Sequence, residues 1–262
     1  PAAMFSDGEF YGRLRSNTFL WDWDEPVEGS RENHEIGGIG GSLIFKSGVY
    51  GGLGFTVGAY ATSNPYLQID EDDFRYLRAG KDLVARGTRD DAYVVLGEAF
   101  LEWEGRELSV RAGRQLYESA FTASNDTKMI PNTFDGLTVG LEGPWGLDLR
   151  AAWFGEQKLR DHTSGHDVIT FRDREGRSWR NQDDAGVHRG LSYGNFLANG
   201  VSPENDLWIG SISRGFGSLD AALSGSLVPD IFRQAVLEVG MVLGAGGWTM
   251  HPAVKLMRQF DT

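Results

Sequence analysis

Residues 113–136 read GRQLYESAFTASNDTKMIPNTFDG and lie between two stretches, 108–112 and 137–141, that alternate apolar and polar residues with period two. The segment is too polar and irregular for a strand, and it lacks the 3.6-residue period of an amphipathic helix. It is also far longer than the two to five residues that a hairpin needs. A chain that inserts such a stretch between neighbouring strands has connections of two kinds. Where each kind falls decides the fold.

Working outward from this segment, period-two alternation recurs along the whole chain, giving about eleven predicted strands. The clearest run through Phe10–Gly12–Leu14, Ile39–Gly41–Leu43–Phe45, Leu53–Phe55–Val57–Ala59 and Val95–Gly97–Ala99–Leu101–Trp103. Beyond them come Leu147–Leu149–Ala151–Trp153, Leu207–Ile209–Ser211, Leu219–Ala221–Leu223, Ala235–Leu237–Val239–Met241, and a last strand over 248–256. Most approach the ~9–11 residues that a tilted strand needs to cross a bilayer. The connections KSGVYGG, EGRE, EGPWG, SRGFGS and GAGG are short and carry glycine, as tight hairpins do. Between them fall long polar connections at 23–36, 63–92, 114–136 and 158–205, with 228–233 the one short exception. In an up-and-down meander this alternation puts every tight turn at one end and the long loops at the other. Transmembrane β-barrels have that arrangement. A secreted β-sandwich with elaborated loops, binding a carbohydrate or a surface partner, is the alternative architecture.

The composition narrows the classes further. With 25 Lys+Arg against 37 Asp+Glu the net charge is -12, which argues against a nucleic-acid partner. There are no cysteines among the 262 residues, so disulfides, thiolate metal sites and a catalytic thiol are excluded. No run approaches the roughly 18 apolar residues of a membrane-spanning helix. No charged, then apolar leader is visible at the N-terminus, so a mature chain is expected.

The two faces of the strands differ in kind. One is Leu, Val, Ala, Gly, Phe or Trp; the other mixes charges with Ser, Thr and Gly. A small packed barrel needs its interior apolar, whereas an apolar exterior around a polar lumen suits lipid. Aromatics near strand ends (Phe19, Trp21, Trp23, Tyr50, Trp103, Trp145, Trp153, Trp248) are the expected interfacial girdles. By the same parity Arg13, Arg15, Lys46, Arg111, Arg150 and Lys255 point into the lumen, and Arg114 stands at the mouth of the long segment. Successive guanidinium groups would offer a carboxylate several similar sites, so that it is bound without being trapped. Glu98, Glu102, Glu142, Asp148 and Glu238 share that face and form an expected acidic counterpart.

No catalytic site is expected. Glu98 and Glu102 have the even spacing of a carboxylate pair but project from one strand with no marked pocket. His162 and His166 in DHTSGHD have metal-binding residue types but lie in a long polar loop. No serine has a histidine partner at a recognisable spacing, and no phosphate-binding glycine loop precedes a helix. No cofactor or metal is expected.

The stretch VRAGRQLYESAFTASNDTKMIPNTFDG resembles the OprD-like family of outer-membrane porins. Arg114 and Gln115 match the family's GRQ, Asn125 and Asp126 its ND, and Pro131, Asn132, Thr133, Phe134 and Gly136 its PNTFEG-like close. GEFYGRLRSNTF and GGIGGSLIFKSGVYGGLGFTVGAYAT are similar to the family's first strands. Lys128 departs from it, since an arginine usually stands there.

The resemblance implies an all-β, transmembrane antiparallel up-and-down β-barrel of about 18 strands, monomeric or trimeric, in the cell outer membrane. Membrane lipid, lipopolysaccharide and small solutes would be its partners. It implies passive diffusion of small solutes, an arginine ladder on the lumen wall, and a third external loop folded into the pore. Residues 114–136 would be that loop, with Asp126 and Lys128 at the constriction and Pro131 and Phe134 anchoring the return. Carboxylates or amino acids, anionic or zwitterionic, are the expected solutes. A closed single-chain bacterial barrel has an even strand number, so residues 1–262 are expected to be the N-terminal part of one larger barrel domain.

Overall fold

The computed structural model describes residues 2–22, 24, 33–66, 92–124, 129–160, 162–165, 168, 206–245 and 247–261. It opens with a short helix, α1 (Ala2–Ser6), followed by ten strands. These are β1 (Glu9–Asp22), β2 (Asn33–Lys46), β3 (Leu53–Tyr66), β4 (Ala92–Glu104), β5 (Leu108–Gln115), β6 (Thr133–Gly143), β7 (Leu147–Lys158), β8 (Leu207–Phe216), β9 (Leu219–Val228) and β10 (Phe232–Met241). A small hairpin, β11 (Leu243–Ala245) with β12 (Trp248–Met250), precedes the last strand, β13 (Ala253–Asp261). Eleven strands form one antiparallel sheet in the order β1 to β10, then β13, so every strand pairs with its neighbour in the chain except that β13 joins β10 across the β11–β12 hairpin. Among the described residues no second sheet packs on this one, so the sandwich alternative finds no counterpart.

The burial of β3 shows why the sheet works inside out relative to a soluble protein. Thr56, Tyr60, Thr62 and Asn64 are buried, while Leu53 and Val57, on the opposite face, are exposed. Water-soluble sheets hide the apolar set; here it is displayed. The register extends this division across the sheet, because directly paired residues share a face. Leu14, Leu43, Leu101, Leu137, Leu223, Leu237 and Leu256 all lie on the displayed outer face.

Aromatic rings collect at both ends of that face. At the tight-turn end Phe10, Phe45 and Phe55 form a cluster, with ring centres 4.7 and 5.7 Å apart along the chain of contacts. Phe5 of α1 joins it at 5.8 Å from Phe55, and the Gly48 amide donates to the Met4 carbonyl, tying α1 to the β2–β3 turn. At the long-loop end Trp153 and Trp208 meet at 6.3 Å. Phe55 and Tyr66 stand at opposite ends of β3. At ~3.3 Å per residue and a tilt of about 45°, their separation projects to about 26 Å, close to the apolar band of a membrane barrel.

Four expectations are corrected. Val95 and Gly97 face the polar side, and Val94 and Leu96 face out. Gly58 pairs with Glu98 while Ala59 pairs with Leu96, so Gly97 is an inserted bulge residue that reverses parity within β4. Leu207 and Ile209 are buried on the polar side, with Trp208 and Ile212 outward; their apolar character serves an interior pad described below. The final strand of the sheet is 253–261 rather than 248–256, because GAGG closes the separate β11–β12 hairpin. Phe19 belongs to no girdle: it pairs with Ile36 and packs against an inner cluster. Trp23 and the side chain of Trp21 lie outside the described residues.

Candidate functional site

The inner face carries two apolar pads. One consists of Phe134, Ala152, Phe154, Leu207, Ile209 and Val228, contributed by β6 to β9. The other consists of Ile44, Tyr60 and Val95 from β2 to β4, with Phe19 and Tyr93 beside it. The connection between β5 and β6 touches both. Tyr117 and Phe121, near its start, pack on the first pad, with the Tyr117 ring 5.1 Å from Phe154. Met129 and Ile130, near its end, are each 2% exposed and belong to the second. Met129 sits over Gly40 in the middle of β2, where a Cβ would lie 3.1 Å from Met129 Cγ. Burial of two such side chains outweighs the ordering entropy of the few residues that carry them.

Polar contacts hold the return. The buried Lys158 ammonium donates to the carbonyls of Pro131 and Leu159 at 3.1 and 3.3 Å. Asn132 Oδ1 accepts from the Arg160 amide, and its Nδ2 donates to the Ala123 carbonyl. Phe134 is buried in the first pad as the chain enters β6. Burial raises the Tyr117 phenol above its ordinary range, with Arg150 acting weakly against it. Asn125, Asp126 and Lys128 lie outside the described residues.

The expected cations occupy distinct surroundings. Arg13 and Arg15 stand one pleat apart on β1, opposite Ser42 and Gly40, so Arg15 shares a cross-strand row with the glycine under Met129. Lys46 and Arg111 flank the buried Glu102, with nitrogens 3.7 and 3.3 Å from its carboxylate oxygens. Tyr60 donates to Glu98 at 2.7 Å. Glu98 and Glu102, whose even spacing resembled a carboxylate pair, are therefore each engaged by other side chains. Further round the wall Arg150 pairs with Asp148 at 2.8 Å, and Lys255 with Glu238 at 3.0 Å. The row through Asp148, Ser213, Ala222, Glu238 and Lys255 crosses five strands.

Arg114 is set apart from the others. Paired with Asp135, it lies one residue off the parity of Arg111 and Gln115, on the side of Leu137 at the long-loop end. Its guanidinium is held by both Asp135 oxygens, at 2.8 and 2.5 Å, and it also donates to the Leu96 carbonyl. His162 is buried; His166, Asp161 and Asp167 lie outside the described residues. Among the described residues no group of three or more side chains could hold a metal ion.

Three participants were not anticipated from the sequence: Tyr60, Lys158 and the Met129–Ile130 pair. A bulky tyrosine on the polar parity of β3, between Gly58 and Thr62, was a readable signal. A lysine at a strand end carries none, because its role depends on where the chain returns.

No protein-family model matches the chain, and no curated protein matches it. Solved structures do. The chain is similar to Pseudomonas aeruginosa OccK9 (OpdG) at 21% identity and a TM-score of 0.74, over 99% of this chain and 60% of that one. A BenF-like porin from Pseudomonas fluorescens Pf-5 aligns at 16% identity and 0.74, over 99% and 60%. The outer membrane protein opdK of Pseudomonas aeruginosa aligns at 17% and 0.70, over 98% and 58%. The fold is therefore that of outer-membrane β-barrel porins. The chain spans about 60% of the length of the porins it resembles.

Proposed function

We propose that this chain forms the larger part of the wall of an outer-membrane porin and passes small solutes by diffusion, without catalysis or a cofactor. The observation that carries this reading is the inverted burial of the sheet, with the β5–β6 segment seated on its polar side. An apolar exterior is stable only against lipid, and a polar interior only against water or solute. Residues 114–136 act as the pore-narrowing segment, pinned at the rim by Tyr117 and Phe121 and at mid-wall by Met129 and Ile130.

The proposed lining set is Arg13, Arg15, Lys46, Arg111 and Arg150, and the solutes are anionic or zwitterionic. Arg13 and Arg15 stand beside the seat of Met129, where the path is narrowed, and guanidinium groups suit carboxylates. OpdK, which shares the fold, has been solved with vanillate, a carboxylate. Arg114, Asp126 and Lys128 complete the expected set; Arg114 acts as a rim residue held by Asp135. Among the described residues β1 and β13 are the two edges of the sheet.

The test is conductance in planar bilayers with a salt gradient. R13A/R15A should shift the reversal potential toward cations. An unchanged anion preference would remove the proposed role of these arginines, and absence of any channel would remove the porin reading.

A further inference from the structure

Charge on the outer face is sparse, and its cations stand to either side of the central leucine row rather than on it. Through the middle of the strands that face presents residues such as Leu43, Val57, Leu101, Val139, Leu149 and Leu223. An outward cation is costly at the bilayer midplane and nearly free at the interface. Arg233, just past the turn after β9, and Arg258, on the neighbouring β13, both point outward on the long-loop half of the sheet. The register sets Arg233 opposite Phe260 and Arg258 opposite Ala235, so the three side chains occupy two adjacent rows of one face.

Their guanidinium carbons lie 5.8 and 4.8 Å from the centre of the Phe260 ring. Two like charges are thus gathered round one aromatic ring, whose quadrupole offsets part of their repulsion. Both arginines are exposed, and among the described residues neither forms an ion pair. The contrast with Arg114, the outward cation of β5, is direct, because Asp135 neutralises that one. The row of Arg233 and Phe260 runs on through Leu227 to Trp208 and Trp153. The Trp153 indole donates to Asp206 at 2.8 Å, with its ring on the apolar face, as residues of a membrane interface do.

We propose that Arg233, Arg258 and Phe260 form a site for the phosphate group of an anionic lipid in the external leaflet. This rests on the membrane-barrel reading above. Guanidinium forks bind phosphate oxygens bidentately, and two of them match the charge of a phosphomonoester. Below the arginines the same face offers Leu237 and Leu256, paired with each other, and Leu223 on the next strand. Acyl chains can lie on these leucines, so the ligand is a lipid rather than a free phosphate. Its own tails hold the headgroup against an open surface.

The test uses the purified full chain in non-ionic detergent, with bound lipid counted by native mass spectrometry. Titrants are diphosphoryl lipid A, phosphatidylcholine and inorganic phosphate. Lipid A should bind, and R233Q/R258Q should weaken it roughly tenfold or more, leaving phosphatidylcholine unchanged. F260L, which keeps both charges, should weaken it less. Inorganic phosphate should neither bind nor compete at comparable concentration. Heat-modifiable gel mobility is measured on every sample. Retained mobility with equal lipid A binding by the wild type and both variants overturns the site and leaves the barrel standing. Loss of that mobility in the wild type removes the barrel reading and the site with it. Inorganic phosphate binding as tightly as lipid A overturns the lipid assignment.

Discussion

Tyr60 Oη donates a 2.7 Å hydrogen bond to Glu98 Oε1, joining β3 to β4 next to the bulge at Gly97. The bulge is what makes the bond possible. Were Gly97 an ordinary paired residue of the strand, Glu98 would keep the parity of Leu96 and face outward. The Tyr60 ring fills the space where a Cβ on Gly97 would project. The absence of that side chain, the ring position and the carboxylate position are thus coupled.

Gly97→Ala should therefore displace the Tyr60 ring and lengthen its bond to Glu98. Overpacking of this kind costs about 1–3 kcal/mol. A lowered thermal transition in detergent, followed by circular dichroism, is the expected result; an unchanged midpoint would show that the ring has room to move.

Glu102→Gln removes the negative charge between Lys46 and Arg111 while keeping the side-chain shape. The carboxylate is buried, but its partners have 39% and 44% of their side chains exposed, so solvent screening discounts the loss. Stability should fall by roughly 1–2 kcal/mol. Anion selectivity in planar bilayers should rise, because two cations lose their counter-charge. A fall in anion preference would contradict the assignment of this triad to the conducting face.

Met129→Ala with Ile130→Ala empties the seat on β2 to β4. Such truncations cost about 2–5 kcal/mol each when buried, here charged against attachment of the segment rather than against the strand ladder. Single-channel conductance should increase, and the global thermal transition should change little. The same conductance with an unaltered transition would mean that the segment is held without these side chains.

Tyr117 supplies a pH handle. Burial against Phe154 raises its phenol pKa in the folded state, so the folded state holds the proton more tightly than the unfolded chain does. The resulting stability is complete below the unfolded value near 10 and is lost as pH rises through the higher folded value. Thermal transitions measured between neutral and strongly alkaline pH should fall more steeply for the wild type than for Tyr117→Phe. Parallel curves would assign the alkaline loss to other groups.

Much of this architecture was legible in the residues themselves. Period-two alternation in β1, β2, β3, β9 and β10 identified both the strands and their outward faces, because an uninterrupted strand has only two faces. The succession of glycine turns and long polar connections identified the meander, and the length and polarity of 113–136 marked it as something other than a turn. Tertiary structure decided the rest. One inserted residue at Gly97 turned Val95 inward, and local composition does not reveal such an insertion. Leu207 and Ile209 face the polar side because Phe134 and Phe154 await them there, along with Tyr117 and Phe121 from the β5–β6 connection. The polar face carries apolar residues where the β5–β6 connection packs on it, so hydrophobicity alone could not distinguish one face from the other. Arg114 and Arg111 differ by register rather than by type, one on each side of the sheet. Where the end of the β5–β6 connection packs depended on Met129 and Ile130 meeting Ile44, Tyr60 and Val95, residues far from them in sequence. Alternation is a local property of the chain, whereas parity across a bulge and the seat of a returning segment are set by contacts between distant residues.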